Sequence, residues 1–531
     1  SFQRDSPVAG RQANMCVMRY VVQRGFDLES WDFAAAYLNA PCPRHGICVK
    51  PPPELAAEQG WSGDIVLELH TAQYGLGDSG RSWLLELHGY LSSLGLRQAK
   101  SDPCLWTYQC PETRTTSGVI AINVDDTLIA GDNKFRSAVL EPLEAKYKVG
   151  TKKKSSFVYC GTHIAQDPSS KEITISQDDY IRQIPDVIRR KKDGPGLMVS
   201  TLKSTDRLTP AQVSFVRVPL GMTMWATTCT QISHCFDVNS IAQQMHQLTV
   251  GDARRLQEVV KRMREAPDRI HLRKLPSGIK RASVLVYDDA NFAVMPGARS
   301  QIGVCSTIIE RPETSMNNSD MTSHWLEDPP TCRGSVVGWS SRRSHRVCRS
   351  TFGAELLGLS SGAAEAEFLC QTLIDIDDRL RHQPQVRCDA KSTTTSLLSF
   401  TTKPQEKNLI PDLEFLRRKF NLSQYAWELK YPDPERVMIP PYRRPGKAAL
   451  GMRWIPTECM LADGLTKRMT AKWFDQALHG EVQLMPLQTK RDLKRLNEQM
   501  RNFGVHGVPG ETTARQHISS LDAAEEALLI F

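Results

Sequence analysis

The sequence predicts an α+β protein, on three observations. Apolar, β-branched residues flank the adjacent acids Asp125 and Asp126, and a second apolar run, Val284 to Tyr287, ends in Asp288 and Asp289. Helical periodicity appears before and between these strand-like stretches, over 83–94 and 252–264. At 531 residues, 40% hydrophobic and 24% charged, the chain is globular and long enough for two to four domains. A net charge of +8 is compatible with a polyanionic partner. Fourteen cysteines without a Cys-x-x-Cys pair indicate neither a zinc ribbon nor a disulfide framework. No signal peptide and no apolar run near 18 residues is evident, so reduced thiols, no membrane, and an intracellular location (a cytoplasmic particle or the nucleus) are expected.

Val119 to Gly131 reads as a β-hairpin with Asp125 and Asp126 at its tip and Gly118 and Gly131 closing its ends. Adjacent carboxylates repel, so either bulk water or a divalent cation must offset them. A two-metal site needs carboxylates from at least two places in the chain. Asp32, at the end of a short apolar segment and before the small residues Ala34 to Ala36, is the candidate partner. Trp83, Leu87, Tyr90, Leu91 and Leu94 form the core face of a helix that Gly95 stops. Lys152 to Lys154 and Arg189 to Lys192 are basic clusters, either solvated faces or phosphate contacts. Residues 193–212, rich in Gly, Pro, Ser and Thr, read as a linker. In the helix over 252–264, Leu256, Val259, Val260 and Met263 share one face. Arg254, Arg255, Lys261, Arg262 and Arg264 share the other, either a duplex-contacting surface or a plain solvated one.

Asp32, Tyr37-Leu38 and Val124-Asp125-Asp126 resemble motifs A and C of reverse transcriptases, and more narrowly those of copia-type LTR retrotransposon polymerases. Ser6 to Ala9, Val49 to Pro53, Gln73 to Trp83, Lys100 to Trp106, Tyr159 to Ile164 and Ile175 to Ile181 resemble further blocks of that family in family order. The resemblance implies Asp32, Asp125 and Asp126 as metal-binding catalytic acids, and Tyr37, Tyr74, Gly75, Arg81, Tyr159 and Gly161 at the substrate. Tyr37 falls where the family's aromatic faces the sugar, either excluding a 2′-hydroxyl or serving as a core aromatic. Three residues depart from the pattern: Gly80 stands for proline, Asn123 for tyrosine, and Asp78 places negative charge near the expected polyanion.

The second half resembles the same family's ribonuclease H domain. Tyr287 to Ala293, Gly338 to Arg343, Ala354 to Leu359, Val386 to Ser392 and Trp454 to Lys467 match its blocks in order. By that resemblance Asp289, Glu355, Asp389 and Asp463 are the nuclease acids, the last on a helix beginning near Thr457. Four carboxylates are what two Mg²⁺ ions need to cut a phosphodiester.

The resemblance therefore implies an N-terminally truncated Pol fragment, beginning at Ser1 after most of the fingers. The expected domains are a reverse transcriptase over 1–194, a thumb or connection over 195–280, and an RNase H-like α/β domain over 281–470. Insertions are expected at 306–334 and 432–446, followed by a tail over 471–531 with basic and terminal helices at 490–502 and 522–530. The implied activities are RNA-directed DNA polymerase and ribonuclease H, using two Mg²⁺ per site (or Mn²⁺). The implied partners are an RNA template, a DNA primer, an RNA/DNA hybrid and dNTPs. The competing reading is a degenerate remnant that binds nucleic acid without polymerising.

Overall fold

A computed structural model describes residues 6–188, 196–199, 201–311, 331–380, 384–398, 406–420, 450–455, 457–470 and 472–484. The second basic cluster, the stretch at 432–446 and both C-terminal helices fall outside the described residues. Among the described residues no helix is long and apolar enough to cross a membrane. None of the fourteen cysteines forms a disulfide.

The N-terminal half is built on helix α1 (Arg11–Arg24) and a six-stranded sheet. Its strands are β1 (Leu28–Phe33), β2 (Arg97–Gln98), β3 (Leu105–Gln109), β4 (Thr116–Asn123), β5 (Asp126–Gly131) and β6 (Val149–Lys154). They lie in the order β2-β3-β4-β5-β1-β6. β4 and β5 form the expected hairpin, with Val124 and Asp125 as its two turn residues. Gly118 and Gly131, expected to close the hairpin, pair with each other across it. The Phe135 ring lies against both: a Cβ at either glycine would come within 2.1 and 2.3 Å of ring carbons. These paired glycines close the end of the hairpin away from its tip and seat an aromatic ring. Helix α2 (Ser79–Ser93) packs Trp83, Leu87 and Leu91 into the core, as its spacing predicts.

A second sheet is a small antiparallel one formed by β7 (Ser156–Tyr159), β8 (Thr162–Gln166), β9 (Ile173–Ser176) and β10 (Ile270–Leu272). Its last strand returns from about a hundred residues downstream to pair with β9. The excursion between is a helical unit of α3 (Pro210–Cys229), α4 (Cys235–Ala242) and α5 (Val250–Glu265), with its own apolar core. Two expectations change here. The stretch read as a linker buries Leu197 and Val199 in that core, and α3 starts inside it behind a Thr209/Gln212 capping box. The basic face of α5 is occupied by its own protein. Arg254 bonds Ser204 and two carbonyls, Arg255 pairs with Asp252, Arg262 with Asp237, and Arg264 with Asp186. Those guanidinium groups are committed to holding the unit together.

The third sheet has six strands, ordered β15-β14-β11-β12-β13-β16. They are β11 (Ala282–Met295), β12 (Arg299–Glu310), β13 (Thr331–Arg343), β14 (Gln385–Cys388), β15 (Gly451–Trp454) and β16 (Glu481–Gln483). β12 and β13 run antiparallel to their neighbours, whereas β14 and β15 run parallel to β11. Residues 306–310 and 331–334, expected inside an insertion, are strand residues of β12 and β13. Residues 481–483, expected in the tail, pair with 331–333. Helix α6 (Thr351–Ile376) lies on β11, an approach that Gly358 and Gly362 permit by leaving room for Asp288.

Helix α1 joins the halves. Gln12 donates to Glu365 of α6, Tyr20 donates to Asp377, and Arg11 stacks over Trp339 of β13 at 4.1 Å. One continuous core spans both sheets.

Candidate functional site

Two groups of carboxylates form, one on each large sheet. On the first, the antiparallel register sets Asp32 of β1 directly opposite Asp126 of β5, and the amide of Phe33 donates to the Asp125 carbonyl at 3.1 Å. The turn is tight: Val124 is held at φ +59°, a conformation that β-branched residues rarely adopt. Trp83 stabilises it by donating Nε1–H to the Val124 carbonyl at 3.0 Å. Gly150 of β6 keeps space beside Asp32, since a Cβ there would stand 3.0 Å from its Oδ2. Burial, then the charges of Asp125 and Asp32, hold the Asp126 carboxyl above its usual range, and Lys153 opposes them. The three acids are neighbours on one face of the hairpin, but they are not among the described groups whose carboxylate oxygens all lie within 4.8 Å of one another.

Tyr37 is half-buried and packs against Tyr74, ring centroids 4.6 Å apart. Burial and then the Asp125 charge raise the pKa of its hydroxyl, which places that ring beside the acids. Tyr74 is 58% exposed and Gly75 has φ +99°. Arg81 is half-buried in the first turn of α2. Tyr159 lies in the core, 3% exposed, so its ring does not face solvent. Gly161 has φ +74° and lies under Trp225 of α3, whose Nε1 would be 3.1 Å from an added Cβ.

The substitutions noted in the sequence have local explanations. Asp78 is buried and paired with Arg44 at 3.0 Å, so its charge is neutralised within the protein. Asn123 donates to the Cys160 sulfur at 2.6 Å, tying the acid hairpin to the β7–β8 turn. At Gly80 a side-chain carbon would meet only ordinary contacts with Ser6 and the Tyr37 hydroxyl. Of the basic cluster on β6, Lys152 pairs with Glu144 and Lys154 with Glu29.

On the other large sheet, β11 delivers Asp289, and its parallel neighbour β14 ends at Cys388, so Asp389 emerges alongside. Asp463 opens a short helix, α7 (Asp463–Thr466), laid across β12. The helix expected to begin near Thr457 is instead a 3₁₀ turn (Thr457–Cys459) followed by this separate segment. α7 lies so close to β12 that a Cβ at Gly303 would be 2.8 Å from Leu465 and Thr466 side-chain carbons. Carboxylate oxygens of Asp289, Asp389 and Asp463 all lie within 4.8 Å of one another.

Glu355 of α6 adjoins this group. Burial, with the charges of Asp289 and Asp389 next, pushes its carboxyl up to about 10. Burial and then Asp289 push Asp463 to about 7, and burial and then Asp289 also raise Asp389. Thr466 donates to Asp289, Thr457 to Asp389 at 2.9 Å, and Lys467 pairs with Asp463 at 2.9 Å. Glu355 Oε2 and Asp463 Oδ1 are buried without a hydrogen-bond partner. Acids packed this closely, two of them with an unpartnered buried oxygen, fit a divalent cation. Thr457, Thr466, Lys467 and Gly303 carry no periodicity that singles them out. Thr457, Thr466 and Lys467 belong to the block from Trp454 to Lys467, whose resemblance assigns a role to Asp463 alone.

Asp288, adjacent to Asp289, points to the opposite face of the sheet. It is fully buried against Gly358 and Gly362, and neither carboxylate oxygen has a partner.

Residues 3–190 match the family described as reverse transcriptase (RNA-dependent DNA polymerase). The retrovirus-related Pol polyproteins from transposons RE2 and RE1 of Arabidopsis thaliana are 24% and 23% identical over 427 and 424 residues. Each alignment covers 78% of this chain and 26% of the relative, so the chain spans about a quarter of their length. A foamy viral protease-reverse transcriptase in complex with RNA/DNA hybrid superposes with a TM-score of 0.41 at 10% identity, over 78% of this chain and 45% of that one. Residues 3–190 thus match the reverse transcriptase family, and the chain is similar over 78% of its length to retrovirus-related Pol polyproteins of plant transposons.

Proposed function

We propose that the chain is a bifunctional nucleic-acid enzyme, an RNA-directed DNA polymerase joined to a ribonuclease H. One observation carries the reading: acids far apart in sequence converge into two groups, Asp32 with Asp125 and Asp126, and Asp289 with Asp389, Asp463 and Glu355. The third domain's elements support it, seating Asp289 on a strand, Glu355 on a long helix, Asp389 at a strand end and Asp463 on a short helix, in the order of the matched blocks. In this reading residues 1–194 are the polymerase palm with partial fingers, 195–280 the thumb or connection, and 281–470 the nuclease.

Divalent cations, Mg²⁺ or Mn²⁺, supply the chemistry when bound: they lower the pKa of the attacking hydroxyl or water and neutralise the leaving oxygen. The protein contributes position and charge. Register pins Asp32 against Asp126, and Trp83 holds the turn that aims Asp125. Thr466 and Thr457 fix the carboxylates of Asp289 and Asp389, leaving their other lone pairs for ligation. In this reading Tyr37, packed on Tyr74 and near the Asp125 charge, would face the sugar of an incoming dNTP. The outward face of α3, with Arg217, Val218, Gly221 and Trp225, continues from Gly161 and offers a track for a template–primer duplex.

The alternative, a remnant that binds nucleic acid without polymerising, is favoured by Asn123, whose amide is spent on Cys160 where the family carries a tyrosine. Primer extension on poly(rA)/oligo(dT) with Mg²⁺ separates the two. Extension that disappears in Asp125→Asn supports the polymerase. Salt-sensitive binding without extension supports the remnant.

A further inference from the structure

Helix α4 belongs to the helical unit, yet both of its ends hold the segment that carries Asp463. Asp237, in its first turn, is 6% exposed and accepts from Arg468 Nε at 3.0 Å and Nη2 at 2.7 Å. The other oxygen of Asp237 accepts from Arg262 of α5 at 2.9 Å. At the C-terminal end Gln243 donates to Gln301 at 3.0 Å, Gln301 donates to Ser341 at 2.7 Å, and Ser341 donates to the Leu465 carbonyl at 2.5 Å. Between these tethers lie Thr466, bonded to Asp289, and Lys467, paired with Asp463, which itself stands two residues before the Leu465 tether.

We propose that Asp237 is a positioning residue of the nuclease cluster, through which the helical unit sets the place of Asp463 by holding Arg468. This rests on the nuclease reading above. A four-residue helix has little stiffness of its own, because one turn closes too few hydrogen bonds to resist displacement. Its position is therefore imposed by neighbours: Gly303 below, the Ser341–Leu465 bond on one side and the Asp237–Arg468 pair beyond its end. The pair is buried on the acid's side and anchored by a second arginine, so it is a fixed bracket and not a mobile surface contact. Movement of α4 moves Asp463 relative to Asp289 and Asp389, which the sheet holds still. The helical unit also presents the exposed face of α3, so a duplex resting there and the nuclease acids are mechanically linked through α4.

The test uses the full chain, with Mn²⁺ binding followed by isothermal titration and Mg²⁺-dependent cleavage of an RNA/DNA hybrid measured in parallel. Asp389→Asn identifies the binding that belongs to this cluster. Asp237→Ala is expected to weaken that Mn²⁺ binding about tenfold and raise the half-saturating Mg²⁺ similarly. Asp237→Glu should recover most of the loss. Arg468→Ala, whose side chain is 57% exposed and safe to truncate, should match it. The double variant should be no worse than either single one. Unchanged Mn²⁺ affinity in Asp237→Ala and Arg468→Ala, or additive losses, overturns the proposal while leaving the nuclease reading intact. A parent chain that binds Mn²⁺ at this cluster without cleaving hybrid removes the nuclease reading, and the affinity comparison still decides the bracket. No Mn²⁺ binding sensitive to Asp389→Asn overturns both.

Discussion

Replacing Asp288 by alanine is expected to stabilise the protein, and by more as the pH rises. The carboxyl is fully buried, both oxygens lack partners, and burial, then the charges of Asp289 and Asp389, raises its pKa well above the ordinary value. An unsatisfied buried polar atom costs about 1–3 kcal/mol, while the void left by a carboxyl group costs roughly 1 kcal/mol. Alanine is therefore ahead even where the acid is neutral in both states. The sign of the pH effect follows from the raised folded-state pKa. The acid is protonated in both states below about pH 4. Above that, the unfolded chain ionises freely and the folded one does not, so stability falls by about 1.4 kcal/mol per pH unit while the folded group stays protonated. Denaturant unfolding of parent and Asp288→Ala, with chelator present and at pH 5, 6, 7 and 8, measures the gap directly. It should favour the variant at pH 5 and widen as the pH rises to 8. A variant less stable than the parent at pH 8, or a gap that does not change with pH, refutes the burial argument.

Gly303→Ala should cost about 1–3 kcal/mol through overpacking, since its Cβ would stand 2.8 Å from Leu465 and Thr466. The shift of α7 should lower hybrid cleavage on the order of a hundredfold while primer extension persists, which paired assays on one preparation check. Asp125→Asn should abolish extension and spare hybrid cleavage, and Asp389→Asn should do the reverse; loss of both activities in either variant contradicts two separate clusters. Gly131→Ala should destabilise the chain by displacing the Phe135 ring, read as a lower denaturant midpoint with no new cation dependence. Burial raises Asp268 to about 6, against hydrogen bonds from Ser233. Its contribution is present below pH 4 and lost as the pH rises through 6, so Asp268→Asn should flatten that part of the stability profile.

The acid hairpin was legible because its signal is local: two apolar strands two residues apart leave the tip little freedom. Asp389 and Asp463 were identifiable only through resemblance, and Asp32 was one candidate partner, since register and sheet order, not spacing, bring them to their neighbours. Helix α3 was missed because its start is hidden in a stretch of Gly, Pro, Ser and Thr and it carries Pro219 internally. The basic face of α5 was visible, but its use was not. Asp186, Asp237 and Ser204 lie 25 to 78 residues away and cancel it only in three dimensions. The same limit hid Arg44, which neutralises Asp78 from 34 positions upstream.

Helix α1 has a consequence for how the chain can be divided. Its fourteen residues are a wedge, with Met15, Cys16, Tyr20 and Val21 in the shared core and Gln12, Arg11 and Tyr20 reaching the neighbours of β13 and α6. Excising the second half as a free-standing nuclease would strip a covering layer from β13 and α6 and leave an apolar scar facing water. Adding residues 6–25 back as a separate peptide is the simplest repair, and a gain in solubility on mixing would measure how much of the downstream half is owed to the first turns of the chain.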